Sequence, residues 1–228
     1  MPNKLYVNGD SHIACTYKDW GSHNHEKSFA GLLAKKHSLD YTNHGFAGGS
    51  NPRIIRTSKQ HLEDADSSNT VVLIQWSNTA RTEWLVDGKW YQVADQDNYE
   101  ILDNPYLNKV WRAYFDSLWK KECDYVMLNR AIEQQYHILE FSNWLTHRNF
   151  KHMFLHGNGS FFTKRSPFEI KWPNGIWLYD KPYDSNLSFC DHSLRKGHQA
   201  DHWSHFGPEA HQDYADFIEL EFKRILDV

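Results

Sequence analysis

Ser11 sits where a short apolar run, Leu5 to Val7, breaks into the turn Gly9-Asp10-Ser11-His12. A serine there stands at the carboxyl edge of a sheet, where open α/β folds gather their ligands. Its hydroxyl is a weak nucleophile until a base takes the proton. Acyl transfer therefore asks the remaining residues for a base, an acid to orient it, and donors for a developing oxyanion. Gly, Asp and Ser are also ordinary turn residues, so the motif gains chemical meaning only from its context.

Three later segments offer such a context. Asn43-His44-Gly45-Phe46-Ala47-Gly48-Gly49-Ser50 carries three glycines in five positions, a backbone that must turn sharply or approach something closely. The apolar run Thr70 to Gln75 ends in Trp76-Ser77-Asn78. Asp201-His202-Trp203-Ser204-His205-Phe206-Gly207-Pro208 stands just before the last apolar-periodic stretch.

The elements that would hold these segments alternate. Leu5–Val7, Tyr41–Asn43, Thr70–Gln75 and His152–His156 read as strands, the third continuously apolar as in a buried parallel sheet. Helices are expected over Glu26–His37, over Arg53–Asp64 with Ser50 or Asn51 as cap, and from Pro208 onward with Tyr214, Phe217, Ile218, Phe222 and Ile225 on one face. Such alternation predicts a right-handed βαβ sheet. Asp87-Gly88 between alternating apolar residues predicts a hairpin, so residues 79–103 read as an inserted hairpin and loop. Asn104-Pro105 opens one long bent helix or two, with Leu107, Val110, Trp111, Tyr114, Tyr125, Leu128, Ile132, Tyr136 and Leu139 at core spacing. A short strand is expected at Ile176–Tyr179; the rest of Phe161–Cys190 yields no assignment.

With 228 residues the chain is long enough for one large domain, and 1–228 reads as a single one. A net charge of −4 without a basic stripe argues against nucleic acid as a partner. Cys15, Cys123 and Cys190 form neither a disulfide framework nor a metal knuckle, which suits a reducing compartment. No secretory leader or membrane-length apolar run is seen, so a cytoplasmic protein without a membrane partner is expected. The His-rich segments lack metal-ligand spacing, and no cofactor or metal is expected. The sequence does not indicate an oligomeric state.

In order and spacing, the four segments resemble the blocks of the SGNH (GDSL-type) hydrolase family, across nearly the whole chain. The resemblance implies a flavodoxin-like three-layer α/β/α domain and a serine esterase that hydrolyses a carboxylic ester without a cofactor. Ser11 would be the nucleophile, His205 the base and Asp201 the orienting acid. The backbone N–H groups of Ser11 and Gly48 and the amide of Asn78 would form the oxyanion hole. The pattern is departed from twice. The family's acid stands three residues before its histidine, whereas Asp201 stands four before His205; a second alignment takes His202 as base with Gln199 at the acid position. Trp76 occupies a position commonly held by glycine, and is expected to narrow the acyl pocket toward small acyl groups.

Other residues carry two readings. Arg81, with Glu83, either binds a polar substrate or forms a surface ion pair. Asn158 faces the cleft or merely turns the chain, and Trp84, Trp90 and Tyr91 make a sugar platform or pack on themselves. The expected substrate is a small or carbohydrate-borne ester. The competing reading is a non-catalytic SGNH-like binding or structural protein, such as a component of a larger particle, supported by the Asp–His spacing and by Trp76. A lipase is the least favoured, since no amphipathic lid is evident.

Overall fold

The computed structural model describes residues 2–17, 23–93, 105–119, 124–158, 170–173, 175–178, 187–202 and 204–227. In chain order its elements are β1 (Lys4–Asn8), α1 (Ser11–Ala14), α2 (Phe29–Lys36), β2 (Asp40–Asn43), α3 (Asn51–Leu62), β3 (Thr70–Trp76), β4 (Thr82–Val86), β5 (Lys89–Val93), α4 (Pro105–Trp119), α5 (Asp124–His147), β6 (Lys151–His156), α6 (Phe189–Arg195) and α7 (Pro208–Asp227). β2, β1, β3 and β6 pair in that order, all parallel, with Val7 opposite Asn43 on one side and Leu73 on the other. Every residue of β3 is buried, as a central strand covered on both faces requires. Among the described residues 175–178 of the strand expected at Ile176–Tyr179, Trp177 makes a parallel bridge to Phe154 of β6, and Tyr179 lies outside the described residues.

α2, α6 and α7 pack together as one set and α3 with α5 as another, and both sets reach the sheet. The architecture is thus the expected α/β/α arrangement. Because the strands are parallel, the loops after β1, β2, β3 and β6 open at one edge, and each carries a segment singled out above.

Asp87 and Gly88 take φ values of 50° and 77°, a type I′ pattern that closes the β4–β5 hairpin. Trp84 packs edge-on against Trp111 and Tyr114 of α4. Asn104 and residues 94–103 lie outside the described residues. The stretch after Pro105 is helical over Pro105–Trp119 and Asp124–His147, and residues 120–123 between them lie outside the described residues. The buried face of α5 also departs from expectation. Ala131, Gln134, Gln135, Ile138, Phe141, Ser142 and Leu145 point inward, while Tyr136 is 54% exposed. Helical spacing of apolar residues misjudges this face because two glutamines lie on it. Among the described residues no helix is long and apolar enough to cross a membrane.

Candidate active site

The Gly9–His12 turn is built on a tight approach to β3. A Cβ on Gly9 would lie 2.8 Å from Ile13 Cγ2 and 2.9 Å from Gln75 Cβ, so only glycine fits without displacement. Asp10 caps the short helix that follows, accepting the His12 N–H at Oδ1 (3.0 Å). Its Oδ2 receives Arg81 Nη1 at 3.3 Å, and the same nitrogen donates to Ser77 Oγ at 3.0 Å. Asp10 is fully buried. Arg81 therefore joins the first loop to the third, and the surface pair expected with Glu83 does not form. Glu83 instead takes a two-point contact from Arg56, both distances 2.8 Å. Ser11, the first residue of α1, is 1% exposed.

The glycine loop lies against this turn. A Cβ on Gly49 would come within 3.0 Å of the Gly9 carbonyl, and the Phe46 N–H donates to that same carbonyl. Gly48 is buried at φ 71°, a backbone conformation that side-chain-bearing residues rarely adopt. Asn78 leaves the end of β3 in an Asx turn, its Oδ1 accepting the Ala80 N–H at 2.8 Å. That bond fixes which end of the amide remains: the donor, Nδ2. Asn78 is exposed, unlike its neighbours Ser77 and Thr79.

Asp201 and His205 meet despite their four-residue spacing. Ala200 and Phe206 bridge, Asp201 N–H donates to His205 O, and Ser204 takes φ 63°, so a left-handed residue absorbs the extra position. One carboxylate oxygen accepts the His205 backbone N–H at 2.9 Å, and the other stands 3.7 Å from Nδ1. Both side chains are buried. Burial, with the neighbouring His12 and Arg81, holds the His205 imidazole down at about 4, against the opposing Asp201 and Asp10 carboxylates. His205 is thus neutral at pH 7, as a proton acceptor must be. His202 and Gln199 are both exposed, away from this buried pair.

The His205 ring centroid lies 5.7 Å from that of His12, the residue after Ser11. His12 Nε2 is 2.8 Å from Asn158 Oδ1 and 3.3 Å from Cys190 Sγ, and the Cys190 thiol donates to the same Asn158 oxygen at 2.9 Å. Asn158 therefore faces the turn that carries Ser11. The sequence singles out Cys190 only as an unpaired cysteine, since nothing around it marks its contact with His12, over 170 positions earlier. Burial, then the Asp10 and Asp191 carboxylates, push its thiol well above the ordinary range, so it is a protonated donor here.

Trp76 requires a correction. Its indole is fully buried in the core against Phe141 and Phe154, with ring centroids 6.1 and 5.0 Å away. A side chain in the last pleat of a strand covered on both faces packs into a layer instead of lining a cleft, so Trp76 is not a substrate contact. Among the described residues no group of three or more His, Cys, Asp or Glu side chains is arranged to hold a metal ion.

Comparison with known proteins bears on this arrangement. The psychrotrophic esterase EstA from Pseudoalteromonas sp., solved in a form inhibited by monoethylphosphonate, is similar with a TM-score of 0.52 and 15% identity over 99% of this chain and 100% of that one. At that identity the likeness shows a shared fold. The acetyl xylan esterase Est2A from the rumen bacterium Butyrivibrio proteoclasticus is similar at a TM-score of 0.44 and 12% identity, over 97% of this chain and 64% of its own. No curated protein matches the chain. The model of a family of unknown function, DUF6071, matches residues 16–169, more than half of the chain, a span that includes Gly48 and Asn78 and lies between Ser11 and Asp201. The chain belongs to that family, DUF6071, on the fold of a bacterial esterase.

Proposed function

We propose that the protein is a serine esterase acting on a carboxylic ester with a small acyl group. The observation that carries this reading is the buried Asp201–His205 pair, its imidazole held neutral and set against the residue after Ser11. Ser11 Oγ attacks the ester carbonyl while His205 takes its proton. The negative charge that develops on the carbonyl oxygen is met by the N–H groups of Ser11 and Gly48 and by Asn78 Nδ2. Asp201 stabilises the imidazolium, which then protonates the departing alcohol. Water, deprotonated by the same histidine, attacks the acyl-enzyme and releases the acid. The preference for a small acyl group rests on the low exposure of Ser11, since the Trp76 indole packs in the core. Trp90, 42% exposed on the hairpin, carries the Arg56 guanidinium over one ring face at 4.6 Å, and its exposed part is the proposed contact for a sugar that bears the ester.

The test is hydrolysis of p-nitrophenyl acetate and butyrate by the purified chain and by Ser11→Ala. The expected result is turnover, faster on acetate, that falls by on the order of 10³-fold or more in the variant. Equal activity in the two proteins contradicts the assignment. The low exposure of Ser11 also favours the competing reading, a non-catalytic protein that binds a glycan or protein partner. It predicts no turnover, and binding unaffected by Ser11→Ala.

A further inference from the structure

We infer that Asn51 and Gln134 are positioning residues that hold the oxyanion donor Asn78 in place, and that this gives the inserted helix α5 a part in catalysis. The inference rests on the esterase reading for its catalytic meaning; its geometry stands by itself.

Asn51 opens α3, three residues after Gly48, and its side chain is spent entirely on the third loop and its support. Oδ1 accepts the Ser77 N–H at 2.7 Å, and Nδ2 donates to the Ser77 carbonyl at 3.0 Å and to Gln134 Oε1 at 2.6 Å. Gln134 Nε2 then donates to the Thr79 carbonyl at 2.9 Å and toward the Arg81 carbonyl at 3.4 Å. The backbone is thus gripped on both sides of residue 78, while Asn78 itself stays exposed at the tip. Asn51 and Gln134 are 1% and 2% exposed. Buried amides that are fully hydrogen-bonded rigidify the backbone they bind, and a half-satisfied network is costly. That explains why α5 buries a glutamine where apolar spacing would place an aliphatic residue. The glycine loop and the asparagine loop are joined through Asn51, so two of the three oxyanion donors are set relative to one another by one side chain.

The test replaces Gln134 with Leu, or with Met where the Leu variant does not fold, and compares it with Ile138→Val, which trims core packing from the same helix without touching the loop. With p-nitrophenyl acetate, Gln134→Leu is expected to lower kcat by about 10- to 100-fold with KM within about threefold, because the donor acts on the transition state. Ile138→Val is expected to keep kcat at temperatures below its melt. The second readout is hydrogen exchange at the Ala80 amide, which donates to Asn78 Oδ1: it should speed up by about tenfold or more in Gln134→Leu while Leu73 in β3 stays protected. Unchanged kcat, or unchanged Ala80 protection, in a folded Gln134 variant overturns the inference. Should the native chain neither turn over esters nor label at Ser11, the esterase reading falls, and Ala80 exchange alone decides whether the clamp holds Asn78.

Discussion

At the scale of the residue, the base decides the chemistry. His205 is buried in company with His12, and its protonation is displaced far below the ordinary imidazole range, to about 4. In the proposed esterase only the neutral ring accepts a proton from Ser11, so activity is expected to be lost as pH falls through that value, not near 6.5. The kcat/KM profile is expected to stay flat down to roughly pH 5 and to decline around pH 4; an acid limb near 6.5 contradicts the burial of this ring. Asp201→Asn keeps the size of the side chain but removes the charge that supports an imidazolium. It is expected to reduce kcat by on the order of 10²- to 10⁴-fold, measured with the same acetate ester. Ser11 stood out as a candidate from its place after a strand, and His205 and Asp201 entered as candidates through the resemblance to the SGNH family. What spacing could not give was the turn between Asp201 and His205: Ser204 in a left-handed conformation is a backbone event that no side chain announces.

At the scale of the element, four loops at one sheet edge are tied into a unit by side chains from other segments. Asp10 and Arg81 form a buried pair across the first and third loops. Arg81→Leu strands the Asp10 carboxylate without its cation and is expected to cost about 3–5 kcal/mol in denaturant unfolding. Adding Asp10→Asn should recover part of that loss. Gly48→Ala forces a Cβ into φ 71° and is expected to cost about 1–3 kcal/mol of strain and to displace its N–H from the oxyanion. A lowered kcat with an unchanged far-UV spectrum is the expected outcome. The strands, the hairpin turn at Asp87-Gly88 and the cap at Ser50 were readable, because each rests on local propensity. The face of α5 was not, because Gln134 is buried for partners far along the chain, Asn51 and the Thr79 carbonyl.

At the scale of the whole molecule, a parallel sheet with two layers of helices places every chemically marked loop at its carboxyl edge, and this much follows from alternating strands and helices. The exception is Trp76, whose position in a motif suggested a pocket wall and whose place at the centre of the sheet makes it core. Trp76→Ala should cost about 3–5 kcal/mol of stability while leaving the acetate-to-butyrate ratio of the folded protein unchanged. Burial also lowers His211, to about 3, where its Nδ1 accepts the Phe29 N–H. For both His205 and His211 the folded value lies below the unfolded one. Their neutral forms contribute stability that is present above about pH 6.5 and is lost as pH falls toward 4 and 3, since the unfolded chain then binds more protons. Thermal melts should therefore drop by several degrees between pH 7 and 5, and less steeply in His211→Gln. The central claim, that this fold carries an activated serine at position 11, is tested most directly by incubating the native chain with a fluorophosphonate and locating the adduct by peptide mass spectrometry. A single stoichiometric adduct on the peptide containing Ser11, absent from Ser11→Ala, is the predicted result; no adduct, or one that persists in Ser11→Ala, contradicts it.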